Sequence, residues 1–152
     1  AAAAGHTVVL QWLLSFAKCG SALLKGRAKG GATIAHAAAR NNRLTTLRWI
    51  ANTPELGDEL LTAVRKDGCT LAHEAAAAGH TVVLQWLLSF AKCGSALLKG
   101  RAKGGATIAH AAARNNRLTT LRWIANTPEL GDELLTAVRK DGCTLAHEAA
   151  AA

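Results

Sequence analysis

The strongest constraint on the fold is an internal duplication: residues 1–78 recur letter for letter as residues 75–152. The chain is therefore two copies of a 74-residue unit followed by four further alanines, Ala149 to Ala152. An exact repeat of this length indicates a very recent duplication, an engineered array, or a repeating unit taken from a longer polymer. In each case, the chain has to be understood as an array of units.

A second, looser period of 37 residues lies within each unit. Aligning the segment from Thr70 with the segment from Thr107 gives twelve matches, nearly all of them small or apolar residues. The same phase begins again near residues 33 and 144. A fixed period of this size is typical of a stacked solenoid, in which each unit buries its apolar face only against its neighbours. We predict a single repeat array over residues 1–152, with both ends of the sequence inside a repeat.

Each repeat is predicted to contain three helices. Residues 71–78 form a short first helix with an alanine face, and residues 81–90 form a second helix that is apolar on two sides. A helix with two apolar sides must be covered on both. The cover is expected from a short third helix, clearest at 126–138, with Thr127 as N-cap and Pro128 as first helical residue. The fold class is therefore all-α, an α-solenoid.

Composition agrees with helices that pack through small side chains. Half of the residues are apolar, yet the chain has no Tyr, two Phe and four Trp, which disfavours an all-β domain. No apolar run is long enough to span a membrane, and no basic-then-apolar leader is present. The four cysteines lack metal-binding spacing. We expect an intracellular protein, in the cytoplasm or delivered into one, with Cys19 and Cys93 partly buried.

Residues 67–80 read Asp-Gly-Cys-Thr-Leu-Ala-His-Glu-Ala-Ala-Ala-Ala-Gly-His, and Val-Leu and Trp-Leu-Leu follow at 83–84 and 86–88. This order of turn, capping Thr, His, Ala pair and Gly-His resembles the ankyrin repeat. The resemblance covers the whole chain through four Thr-x-x-His sites: Thr33/His36, Thr70/His73, Thr107/His110 and Thr144/His147.

The chain departs from the ankyrin pattern in three ways. Leu71 or Ile108 stands where the family has proline, and the period is 37 instead of 33 residues. The extra length replaces the family's β-hairpin finger with what we expect to be the short third helix. In the second half-unit Asn115-Asn116-Arg117 replaces x-Gly-His, and Asn tolerates the left-handed conformation that ends a helix.

The resemblance implies structural roles for the residues that otherwise suggest chemistry. Histidines three residues after a capping Thr bond within the turn, and His6 and His80 after a helix-stopping Gly are also expected to be structural. The four tryptophans lie on the apolar second helix and are predicted to be core residues. Cys69 and Cys143 at the turns are expected to be ordinary reduced thiols. We predict no catalytic residue, metal site or cofactor, because no nucleophile has a base beside it.

The resemblance also implies a non-enzymatic scaffold that holds a protein partner on the concave surface of turns and first helices. The positions expected to face the partner are the non-repeating letters between the repeating scaffold letters: Glu74, Ala77, Ala78, Lys103, Ala106, Arg114, Asn115, Lys140, Asp141 and Cys143.

The net charge of +8 leaves two further functions open. Basic residues cluster at the turns, so an acidic protein partner, nucleic acid or an anionic surface could bind along this edge. Alternatively, the two ends are complementary faces of one repeat, which would allow head-to-tail self-association as a segment of a longer array. The residues of the predicted basic edge are Lys25, Arg27, Lys29, Arg65, Lys66, Lys99, Arg101, Lys103, Arg139 and Lys140.

Overall fold

The computed structural model describes residues 2, 4–15, 20–90 and 94–152, so Cys19 and Cys93 lie outside the described residues. Within these ranges the chain forms twelve α-helices and no strand. In chain order they are α1 (Thr7–Leu14), α2 (Gly20–Leu24), α3 (Ile34–Arg40), α4 (Leu44–Ala51), α5 (Gly57–Leu61), α6 (Leu71–Ala78), α7 (Thr81–Ser89), α8 (Gly94–Lys99), α9 (Ile108–Arg114), α10 (Leu118–Ala125), α11 (Gly131–Leu135) and α12 (Leu145–Ala151).

The helices stack in rows, as predicted. The first helices of successive repeats, α3, α6, α9 and α12, pack side by side. The second helices α4, α7 and α10 each pack behind the first helix of their own repeat. The third helices α2, α5, α8 and α11 each pack against the second helix that precedes them. The fold is thus an all-α solenoid with a short third helix in each repeat.

The core lies between the rows of first and second helices. The first helices contribute alanines such as Ala72, Ala75 and Ala76, which are 0% exposed, so adjacent helices can approach closely. The second helices contribute larger side chains, such as Leu84 and Leu87, which are also fully buried. Removing this apolar surface from water is the main source of stability, and most of it is removed only when repeats stack.

The first helices end where the sequence predicts. Gly79 follows α6 with φ +82°, and Asn116 follows α9 with φ +57°, so both residues adopt the left-handed conformation. Glycine reaches this region at no steric cost, and asparagine tolerates it better than other residues do. The Asn-Asn-Arg variant therefore ends its helix in the same way as Gly-His.

The predicted start of the third helix at Pro128 is wrong by three residues. The Thr127 hydroxyl does not cap α11; it donates 2.7 Å to the Trp123 carbonyl at the end of α10. Pro128 and the two residues after it form a turn, and α11 begins at Gly131. At this start the chain approaches α10 closely, since a Cβ on Gly131 would lie 3.0 Å from the Ala125 carbonyl oxygen.

The second apolar stripe is covered only in part. Trp49, Trp86 and Trp123 are partly buried against the core, and the Trp86 ring lies 5.6 Å from that of Phe90. Trp12 is 59% exposed, so its prediction as a core residue is wrong. Among the described residues, α1 packs mainly against α2 and α4.

A five-residue turn lies within each connection between the third helix of one repeat and the first helix of the next. Each turn closes on itself, as when the Arg65 N–H donates 2.9 Å to the Cys69 carbonyl. Neighbouring turns are also bonded to each other. Each of these bonds runs from a backbone N–H to a carbonyl of the preceding turn. Lys66 donates to Gly30 over 2.9 Å, Lys103 to Asp67 over 2.9 Å, and Lys140 to Gly104 over 2.8 Å.

Candidate functional site

The capping histidines tie each first helix to the next repeat. His73 Nδ1 lies 3.3 Å from the Thr70 backbone nitrogen and 3.0 Å from the Thr70 hydroxyl. Its Nε2 lies 3.2 Å from the Ala106 carbonyl in the following turn. A carbonyl only accepts, so Nε2 carries the proton and Nδ1 accepts from the Thr70 N–H. His36 and His110 repeat this arrangement with the carbonyls of Cys69 and Cys143.

These bonds confirm the structural role predicted for the capping histidines. Burial lowers the pKa of His36, His73 and His110 below the ordinary value of 6.5, because a charged ring would lose its hydration. His80 is also structural, since its Nε2 lies 3.0 Å from the Arg40 carbonyl of the preceding repeat. The structural role of His6 stays a prediction.

A groove of about 340 Å³ lies between the turns and the first helices, next to α6 and α9. Small side chains line its inner part: Ala77, Ala102, Ala106 and Ala111. Charged side chains surround them: Asp67, Glu74, Lys103, Arg114, Arg139 and Glu148. A concave apolar floor with a polar border is the usual form of a binding site.

Two ion clusters hold part of this border in place. Glu74 pairs with Arg65 and lies 3.9 Å from Arg40. Glu148 pairs with Arg139 and accepts two bonds from Arg114, of 2.8 and 3.2 Å. Burial alone would raise the pKa of the Glu148 carboxyl, but hydrogen bonds from the two arginines outweigh it and hold the pKa below its ordinary value.

Two of the turns each contain a further ion pair. Arg65 lies 3.1 Å from Asp67, and Arg139 lies 2.9 Å from Asp141. Both aspartates also accept a hydrogen bond from the backbone N–H of the cysteine two residues later. Asp141 and Glu74, two of the residues predicted to face a partner, are therefore already held by contacts within the chain.

A second, more polar depression of about 500 Å³ adjoins the groove at the ends of the first helices. Arg40, Arg65 and Arg117 surround Glu74 there, beside the amides of Asn41 and Asn115. Arg117 is fixed by its Nε, which donates 2.9 Å to the Ala77 carbonyl of the preceding repeat. Positive charge exceeds negative charge among these residues, so the depression suits an anionic group.

The structure gathers seven of the ten predicted partner-facing residues around these two cavities. Glu74, Ala77, Lys103, Ala106, Arg114 and Asn115 line the groove, and Ala78 lines the polar depression. Lys140, Asp141 and Cys143 belong to the next turn, outside both cavities. Sequence reasoning missed Ala111, which the 37-residue period places on the same position as Glu74.

The turn cysteines are poor nucleophiles. Burial, followed by the negative charge of Asp67, raises the pKa of the Cys69 thiol to about 11. A hydrogen bond to Asp141, together with burial, raises the pKa of Cys143 as well. The thiolate is the reactive form of cysteine, so both side chains are protonated at neutral pH.

The predicted basic edge is partly neutralised. Lys25 lies 2.8 Å from Glu59, and Lys99 lies 3.1 Å from the equivalent Glu133. The Arg27 guanidinium donates 3.0 Å to the Val64 carbonyl of the following repeat.

None of the helices in the described ranges combines the length and apolar character that a membrane crossing requires.

Comparison with known proteins gives one family. The sequence model described as Ankyrin repeats (many copies) matches residues 35–88. Residues 1–14 repeat the end of this segment, and residues 109–152 repeat its beginning, letter for letter. No curated protein matches the chain.

Proposed function

Because the chain belongs to the ankyrin repeat family, whose members are generally protein–protein interaction modules, we propose that it binds a protein partner in the groove between the turns and the first helices. Ankyrin repeat proteins are typically non-enzymatic scaffolds. In this proposal, the helical rows provide a rigid support, and the partner contacts the residues that vary between repeats.

The single observation that supports this site is the combination of a small-residue floor with a fixed charged border. Ala77, Ala106 and Ala111 are partly exposed and leave room for partner side chains. Arg114 and Arg139 are already held by Glu148, so their ordering costs little when a partner binds. Such preorganisation favours specific recognition.

We further propose that the partner is acidic. Lys103 on the border of the groove and Lys140 on the next turn are exposed. Arg114 and Asn115 are exposed beside them at the end of α9. The overall charge of +8 would steer an acidic protein towards the chain.

The proposal can be tested by site-specific photo-crosslinking in a cell extract. A photoreactive side chain at Ala111, in the groove, should capture a partner, whereas the same group at Ala125 should not. Ala125 is exposed on α10 and lies outside both cavities, so it is a matched control. Equal capture from the two positions would contradict the proposal.

A second experiment separates binding from folding. With the photoreactive side chain moved to Ala77, which also lines the groove, Ala111→Trp should fill the groove and abolish capture, while Ala125→Trp should preserve it. Arg114→Glu is a poor variant for this purpose, because it would place a second carboxylate against Glu148 and destabilise the stack. Undiminished capture by Ala111→Trp would show that the partner binds elsewhere.

A further inference from the structure

One lysine stands at the same place in every described turn. Lys29, Lys66, Lys103 and Lys140 are spaced by 37 residues, and all four are exposed. We call these four residues the lysine row. The bonds between adjacent turns start at the backbone nitrogens of three of them, so the backbone of the row is held at a fixed spacing.

The lysine row is the part of the basic edge whose charged groups have neither an acidic partner nor, unlike Arg27 and Arg101, a hydrogen bond to a backbone carbonyl among the described residues. Within the described part of the chain, none of its four ammonium groups forms an ion pair. The neighbouring acids are already occupied, since Asp67 pairs with Arg65 and Asp141 pairs with Arg139. The turns at 28–32, 65–69, 102–106 and 139–143 each carry a net charge of +1, which is four of the eight net charges of the chain.

The row has a characteristic spacing. Stacked helices lie about 8–10 Å apart, and the bonded turns follow the same stacking, so successive lysines are separated by roughly that distance. A polyproline II segment has three residues per turn and rises about 9 Å per turn, so every third side chain points the same way. A β-strand would present same-face side chains about 7 or 13 Å apart, which fits less well.

We propose that the lysine row binds an acidic polypeptide segment in the polyproline II conformation, with one carboxylate at every third residue and one carboxylate for each repeat. This inference rests on the proposed function, because it describes how a protein partner would lie along the stack. Exposed ion pairs are individually weak, so binding depends on several of them forming in register.

The test uses two labelled 12-residue peptides of identical composition, four Glu and eight Pro, and measures binding by fluorescence anisotropy at low ionic strength. One peptide carries Glu at every third position, and the other carries the four Glu in a block. The first should bind at least several-fold more tightly, and its affinity should fall as salt is added. Equal affinity, or tighter binding of the block peptide, would overturn the inference.

Variants locate the binding surface. Lys66→Gln and Lys103→Gln should each weaken binding of the spaced peptide about three-fold, and the double variant should weaken it further. Lys25→Gln is the matched control, since it removes the same charge from a lysine that pairs with Glu59 off the row. Equal losses in Lys25→Gln and Lys103→Gln would reduce the effect to net charge and contradict the inference.

Two other ligands of the same charge are compared with the spaced peptide. A peptide with Glu at every seventh position of a helix, and a single-stranded oligonucleotide of equal charge, should both bind more weakly than the spaced peptide. Tighter binding of either would overturn the inference. If the spaced peptide fails while a photoreactive side chain at Ala77 still captures a partner that Ala111→Trp loses, the lysine row is excluded and the groove is retained.

Discussion

At the scale of single residues, His73 shows how one side chain serves two repeats. It bonds the Thr70 backbone and reaches the Ala106 carbonyl in the next turn. His73→Ala should lower the free energy of unfolding by roughly 2–4 kcal/mol, because two buried polar groups lose their partner. His147→Ala should cost less, since His147 makes the same cap contact with Thr144 but is exposed. Urea unfolding measures both, and equal losses would contradict this account.

The capping histidines also predict how stability depends on pH. Their folded pKa values lie below 6.5, so the unfolded chain binds more protons than the folded chain in this range. Their contribution to stability is therefore complete above pH 6.5 and is lost as the pH falls through the lower folded pKa values. The melting temperature should decline between pH 7 and pH 5.

A single variant assigns this decline to the histidines. His73→Gln removes one of the three titrating groups, so its melting temperature should depend less steeply on pH over the same range. The Asp141 carboxyl does not explain the effect, because the Cys143 N–H lowers its pKa from 3.8 and this group titrates below the window. An unchanged slope in His73→Gln would show that other groups cause the decline.

At the scale of helices and turns, the Glu74 cluster fastens α6 to the turn that precedes it and to the end of α3. The Glu74 side chain is 12% exposed and faces Arg65. Glu74→Gln should lower the free energy of unfolding by about 1–3 kcal/mol, because it removes one of the two counter-charges of the half-buried Arg65 guanidinium. Glu59→Gln, which breaks the 56% exposed pair with Lys25, should cost less than about 1 kcal/mol. Similar losses in urea unfolding would mean that the Glu74 cluster adds nothing beyond a surface pair.

The helices and turns also show which structural features could be predicted from the sequence. Thr70, His73 and Gly79 have local roles, and their spacing identifies the first helix and its ends. The ion clusters could not be predicted in this way. Arg114 and Glu148 are 34 residues apart, so no local pattern connects them. The repeat period gives no help either, because the position equivalent to Glu74 in the next repeat is alanine. The start of α11 was also missed, because the Thr127 hydroxyl bonds back to the Trp123 carbonyl of α10 and does not cap α11.

At the scale of the whole molecule, adjacent turns contact each other along the stack. Gly68 and Gly142 occupy identical positions in the two copies, with φ of +81° and +83°. A Cβ on Gly68 would lie 2.7 Å from the backbone nitrogen of Lys103 in the next turn, whereas a Cβ on Gly142 would meet nothing within 4 Å. The same substitution therefore tests stacking in one copy and local backbone strain alone in the other.

Gly142→Ala should cost about 1–2 kcal/mol, the penalty for a side chain in the left-handed region. Gly68→Ala should cost a further 1–3 kcal/mol, because the turn must move and its bond to Lys103 is weakened. Urea unfolding gives the two free energies, and hydrogen exchange at the Lys103 amide reports the bond directly. Faster exchange in Gly68→Ala alone is expected, since only that methyl group separates two turns. Identical energies and unchanged exchange would mean that the repeats are held together by their helices, with no contribution from the turns.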